Sequence, residues 1–339
     1  MSLPRLTSLS QIATLAERLP VADEAAAEAA RARQNSLTKP PGSLGRLEQI
    51  AEFMATWRGT ARPEIWRAQA LVFAGNHGIC AQGVNPYPQE VTAQMVANFE
   101  AGGAAINQLC AVNGADLSVI ALDLDRPTGD FTEGPAMSET DCLDAFWQGA
   151  SAVDEGADIL ILGEMGIGNS TVAAALAAAC FGGPVAEWVG PGTGSDKAGI
   201  ARKVEVIERG LRRHEAVRGD APVILAALGG REQAAICGAV LAARAARIPV
   251  ILDGFICTAA AAVLYAADKR LLDHCLVGHA SAEPGHRKLL AAIHKRPVLE
   301  FDMRLGEGSG AALALGIVRS ALACHNGMAT FGEAGVSEA

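Results

Sequence analysis

Aromatic residues are scarce, at 4% of 339 positions with only two tyrosines, and charged residues make up only 19%. A core without aromatics has to be built from Ala, Val, Leu and Ile, and the half of the chain that is apolar supplies enough of them. That excludes a disordered chain. The eight cysteines (Cys80, Cys110, Cys142, Cys180, Cys237, Cys257, Cys275, Cys324) include no CxxC pair and fall mostly in apolar stretches. They read as reduced, buried thiols of a cytoplasmic protein, not as a disulfide framework. No apolar run continues long enough to span a bilayer, because Gly or a charge interrupts each one. The first residues carry Arg5, Glu17, Arg18, Asp23 and Glu24 in place of a signal-peptide core, so no membrane partner is expected. Basic residues are outnumbered 28 to 37, for a net charge of −9, and none cluster densely, which argues against nucleic acid. A small anion stays compatible, since a few backbone N–H groups and one Lys bind a phosphate locally.

Glycine, by contrast, is abundant: 37 residues, well above the ~7% of an average protein. Residues 8–34 read as helix, with Leu9 to Leu19 at helical spacing and a second stretch from Asp23 to Gln34; a break follows at Thr38–Ser43, and Leu44–Trp57 is helical again. After Pro63 short β-type runs alternate with Ala-rich helical runs. The predicted strands are Ala70–Ala74, Ser118–Leu122, Ile159–Leu162, Val223–Ala227, Val250–Leu252 and Cys275–Val277. Predicted helices between them are Glu90–Ala111, Thr140–Glu155, Ser170–Cys180, Lys197–His214, Glu232–Ala246 and Thr258–Ala267. Strands that do not alternate, separated by helices, predict an α/β fold: a Rossmann-like open parallel sheet of about six strands covered by helices. Most of these strands end in Gly or a polar turn, and right-handed crossovers gather those ends at the ligand-binding edge.

Several turns there carry unusual chemistry. Gly163-Glu164-Met165-Gly166-Ile167-Gly168-Asn169-Ser170-Thr171 follows a strand and opens a helix that Ser170 or Thr171 would cap. Gly166 and Gly168 let backbone approach a ligand, and the helix start favours a phosphate or carboxylate, although an ordinary glycine turn fits as well. The loop has no Walker lysine and is not a dinucleotide fingerprint. Glu164, a carboxylate at a strand end among glycines, points to function. Gly190-Pro191-Gly192-Thr193-Gly194 is a second such turn, followed by Lys197 and Lys203, each of which reads individually as a surface lysine or as an anion ligand. At a third, Gly229-Gly230-Arg231-Glu232, Arg231 reads as structural. Glu307 lies between Gly306 and Gly308 at the entry to a small-residue helix. Desolvation there would raise its pKa toward that of a general base, while a helix-capping role is the alternative. His279 and His286 flank Ser281–Gly285 without further ligands at zinc-like spacing, His77 reads as a turn histidine, and no metal is expected. No G-x-S-x-G elbow occurs, which disfavours a serine hydrolase.

Together these segments resemble one family over nearly the whole chain. They are Lys39–Glu48 (KPPGSLGRLE), Phe73–Gly78 (FAGNHG), Pro88–Thr92, Gly163–Thr171, Gly229–Glu232, Ser281–His286 and Arg304–Gly310. Each is weak alone, but seven in the same order are specific to the nicotinate-nucleotide–dimethylbenzimidazole phosphoribosyltransferases. Asn76 departs from the Asp expected there in much of the family. The resemblance implies transfer of phosphoribose from nicotinate mononucleotide to 5,6-dimethylbenzimidazole with inversion, giving α-ribazole 5′-phosphate and nicotinate without a cofactor. A related enzyme using another lower-ligand base, or a non-catalytic nucleotide- or azole-binding protein, is the alternative. The resemblance further implies that Glu307 is the base and that Glu164 faces the ribose. Gly166, Gly168, Gly192, Lys203 and Ser281 would hold the phosphoribosyl part, and Gln89, Met165 and Leu305 the azole. It also implies a homodimer whose small helical domain joins residues 1–62 and 311–339, beside a large domain of residues 63–310.

Overall fold

Strands buried on both faces read as unbroken apolar runs, and two seven-residue interior ones here, β1 (Ala68–Ala74) and β3 (Ile159–Met165), are buried almost throughout. The computed structural model describes residues 3–337. It adds β2 (Ala115–Ala121), β4 (Val250–Leu252), β5 (Cys275–His279) and β6 (Pro297–Leu299) to one six-stranded sheet, ordered β2-β1-β3-β4-β5-β6 and parallel throughout. The pleat divides the core. Leu71 and Phe73 pack into one apolar cluster, while Ala70 and Val72 pack into another on the opposite face. From β1 the chain moves out to β2 and then returns past β1 to β3. The order therefore reverses between β1 and β3, the kind of switch point where open α/β sheets leave a crevice.

The scarcity of aromatics has a packing counterpart. Helices Glu139–Ser151 and Arg231–Ala245 touch backbone to backbone: a Cβ on Gly149 would collide with the Ala235 carbonyl, and one on Gly238 with that of Phe146. The two ends of the chain also meet, since Arg33 donates to the carbonyls of His325, Asn326 and Met328, and Leu37 bridges to Thr330.

Two expectations need correction. Val223–Ala227 is not a strand but the middle of a helix, Ala221–Leu228. The Asp220 side chain caps it by accepting from Val223 N at 3.3 Å, and Pro222 occupies its first turn. Those start signals outweigh the β-branched run, so Gly229-Gly230 joins two helices rather than a strand and a helix. The sixth strand is β6 instead, only three residues long, half-buried and beginning on Pro297, which left it unread. Glu90–Ala111 is two helices, Glu90–Glu100 and Ala105–Asn113, parted at Gly102-Gly103. The two helical stretches read in residues 8–34 are the 3-10 helix Leu9–Glu17 and the α-helix Glu24–Ser36, the latter capped by Asp23.

Candidate active site

The strand ends open into a crevice. The last residues of β3, Glu164 and Met165, and the turn after it, with Gly166 and Gly168, form part of its wall, and Gly192 and Lys203 come from the neighbouring turn and helix. The turn after β5 contributes Ser281, and the segment after β6 contributes Leu305. Eight of the ten sequence-identified residues thus line one cavity. The other two do not. Gln89 stands beside it, its Nε2 donating to the His77 carbonyl at 2.5 Å. Glu307 directly follows the lining residues Leu305 and Gly306 and is buried, with Oε2 lacking any hydrogen-bond partner.

At Gly166 the tolerance for a side chain is nil: a Cβ would lie 2.5 Å from the Gly75 carbonyl and 3.1 Å from His77 Nε2. The segment after β1 therefore runs tightly beneath the glycine turn. His77 is fully buried there, with Nε2 2.9 Å from Glu232 Oε1. Neither Ser170 nor Thr171 caps the helix Asn169–Phe181, contrary to the sequence reading; its N-cap is Gly168, at φ +93°. The Ser170 hydroxyl instead accepts from Lys203 Nζ at 3.3 Å. Lys203 is no surface lysine. It is only 3% exposed, and burial lowers its pKa, with Glu283 acting in the opposite direction. Arg231 takes the structural role, donating to the Arg126 carbonyl at 2.6 Å.

Buried carboxylates share this region. Glu164 is buried and accepts from the Asn169 amide, and its pKa is pushed well up by burial and then by Asp253, Glu232 and Glu307. Glu307 is raised to about 7, by burial first and by Asp253 second. Its backbone is left-handed at φ +65°. The crevice thus combines a buried lysine and a helix N-terminus, which suit an anion, with a buried carboxyl that favours a cation. His279 lines the crevice with its Nε2 3.6 Å from Asp253 Oδ1, and His286 Nδ1 accepts from Ser281 N at 2.9 Å.

Three residues escaped the sequence reading. Glu283 accepts from Gly192 N at 2.9 Å and occupies that donor, so Gly192 shapes the wall rather than offering a free N–H. Arg304 donates to the Gly192 carbonyl at 2.7 Å and lines the crevice. Asp253 lies just past β4, wholly buried. Their only sequence signal was position within or beside strand-end turns.

The family model described as Phosphoribosyltransferase matches residues 19–336. The chain is 67% identical over 333 residues to the nicotinate-nucleotide–dimethylbenzimidazole phosphoribosyltransferase of Rhodobacter capsulatus, covering 98% of this chain and 99% of that protein. The protein of the same name from Novosphingobium aromaticivorans is 60% identical over 335 residues, covering 98% and 99%. Among solved structures, CobT from Thermus thermophilus superposes with a TM-score of 0.88 at 41% identity, covering 93% of this chain and 100% of that one.

Proposed function

The chain belongs to the nicotinate-nucleotide–dimethylbenzimidazole phosphoribosyltransferase family, and we infer from this that it transfers the phosphoribosyl group of nicotinate mononucleotide to 5,6-dimethylbenzimidazole. The observation that carries the reading is one crevice lined by the buried Lys203, a helix N-terminus and the buried carboxyl of Glu164, with Glu307 directly behind its wall. Nicotinate mononucleotide has a phosphate, which suits the lysine and the helix start, and a pyridinium nitrogen, which suits the carboxyls.

In our reading Lys203 and the turn Gly166–Gly168 hold the phosphate, with Ser281 beside the ribose. The bond from the anomeric carbon to the pyridinium nitrogen breaks, and nicotinate leaves with the electron pair. The ribose becomes oxocarbenium-like next to Glu164, whose carboxylate gains from a neighbouring positive charge what burial took away. A benzimidazole nitrogen attacks the opposite face of that carbon, which inverts the configuration in one displacement. Its other nitrogen then gives up its proton to Glu307. Met165 and Leu305 flank the azole, and Gln89 supports the slot through the His77 carbonyl.

The test is incubation with nicotinate mononucleotide and a panel of azoles, with products read by mass spectrometry. We expect nicotinate and an α-ribosyl benzimidazole phosphate. Turnover only with a non-benzimidazole base would reassign the acceptor, and binding without turnover would make the chain a binding protein. Among the described residues no group of three or more His, Cys, Asp or Glu is arranged to hold a metal. Activity is accordingly expected to survive exhaustive EDTA treatment; loss on chelation with rescue by one divalent ion would overturn this.

We also propose a homodimer working in the cytoplasm. The eight free cysteines suit a reducing compartment, and the exposed Trp66 and Val112 offer apolar surface to a second copy. Among the described residues no helix is long and apolar enough to cross a membrane. The contacts of Arg33 and Leu37 with residues 325–330 support a small lobe made of residues 1–62 and 311–339 beside a large domain of residues 63–310.

A further inference from the structure

The helix Ser309–Gly327 begins without the usual means of capping. Its N-cap is Gly308, which has no side chain to accept the first N–H groups. The three residues at its entry, Gly306, Glu307 and Gly308, are all left-handed, at φ +87°, +65° and +84°. Glycine adopts this backbone freely, but glutamate does not. Something outside the segment must therefore hold Glu307 in place.

Asp253 does so from a different element. From the end of β4 its Oδ2 accepts from Gly308 N at 3.1 Å and its Oδ1 from Ala311 N at 2.9 Å. One buried carboxylate thus ties down the residue after Glu307 and the first turn of the helix. Resting on the functional reading above, we propose that Asp253 is a positioning residue that fixes the strained backbone at Glu307 and so presents the base carboxylate to the azole.

A serine or threonine could cap a helix as well, so the choice of a carboxylate calls for a reason. The titratable groups around this loop are Glu164 from β3, Asp253 past β4, His279 from β5 and Glu232 from the helix Arg231–Ala245. A second carboxylate here is costly, and His279 at 3.6 Å offsets only part of it. Its charge, however, strengthens the attraction of Glu307 for a proton. The same side chain that aims the base also makes it more basic.

Asp253→Asn tests both effects. An amide can accept only one of the two N–H groups and sets its own NH₂ against the other. We expect kcat to fall about ten- to hundredfold with KM for both substrates nearly unchanged. The acid limb of the kcat–pH profile should move to lower pH, because Glu307 loses its negative neighbour. In a Glu307→Gln background the same substitution should cost little more. An additive loss in that background with an unshifted pH limb would reduce Asp253 to a structural role and overturn the proposal. Should Asp253→Asn fail to fold, Asp253→Ser, smaller and able to admit a water, gives the same two readouts. The two readings fail separately: no transfer by the wild-type protein would sink the functional assignment, whereas wild-type transfer with additive losses would sink only the role of Asp253.

Discussion

Replacing Glu307 with glutamine is expected to lower kcat by about 10²–10⁴-fold, with KM for nicotinate mononucleotide little changed. Glutamine keeps the shape and the left-handed backbone requirement of the residue but cannot take a proton. The Oε2 position has no hydrogen-bond partner, so the substitution breaks no contact there that would confuse the result. The pH dependence supplies a second signature. Only the deprotonated carboxyl is a base, and with a pKa of about 7 the active form is lost as pH falls through neutrality. An ordinary glutamate would stay active to about pH 4.3. The wild-type kcat should therefore drop on the acid side of about pH 7, and the glutamine variant should lack that limb. A variant within threefold of wild type would remove Glu307 from the mechanism.

That site was legible in the sequence because its chemistry is local. Glu164 and Glu307 each sit among glycines, an arrangement with little structural use, and the structure buries both and raises both pKa values. Interior strands were legible for a similar reason: β1 and β3 are buried on both faces, so composition alone marks them. Val223–Ala227 has the same composition yet forms a helix, because Asp220 and Pro222 act from outside the apolar run. Lys203 looked ordinary since its burial depends on the packing of residues 190–203 against Ser170, a tertiary fact. Asp253 was hidden for the same reason. Its two acceptor contacts reach residues 308 and 311, more than fifty positions away.

The glycine turn offers the remaining large effect. Gly168→Val is expected to raise KM for nicotinate mononucleotide by about ten- to hundredfold, the scale of 1–3 kcal/mol of backbone strain. Valine is among the residues least able to hold φ +93°, and its Cβ would lie 2.7 Å from Cys80 Sγ. The collision is beneath the turn and not with the ligand. Cys80 is itself anchored, with Sγ donating to the Ile167 carbonyl at 3.2 Å, so the turn has to move. Moving it carries the start of the helix Asn169–Phe181, and with it Ser170, away from Lys203 Nζ. The phosphate grip is what suffers, so a nucleoside lacking the phosphate should bind the variant nearly as it binds the wild type. Cys80→Ala in the same chain removes the collision but leaves the backbone strain, and should restore only part of the loss. A general folding defect would affect both ligands alike, which circular dichroism would also reveal. If the variant is folded and binding of nucleotide and nucleoside weakens in parallel, the phosphate is held elsewhere in the crevice, and Lys203 becomes the first residue to change.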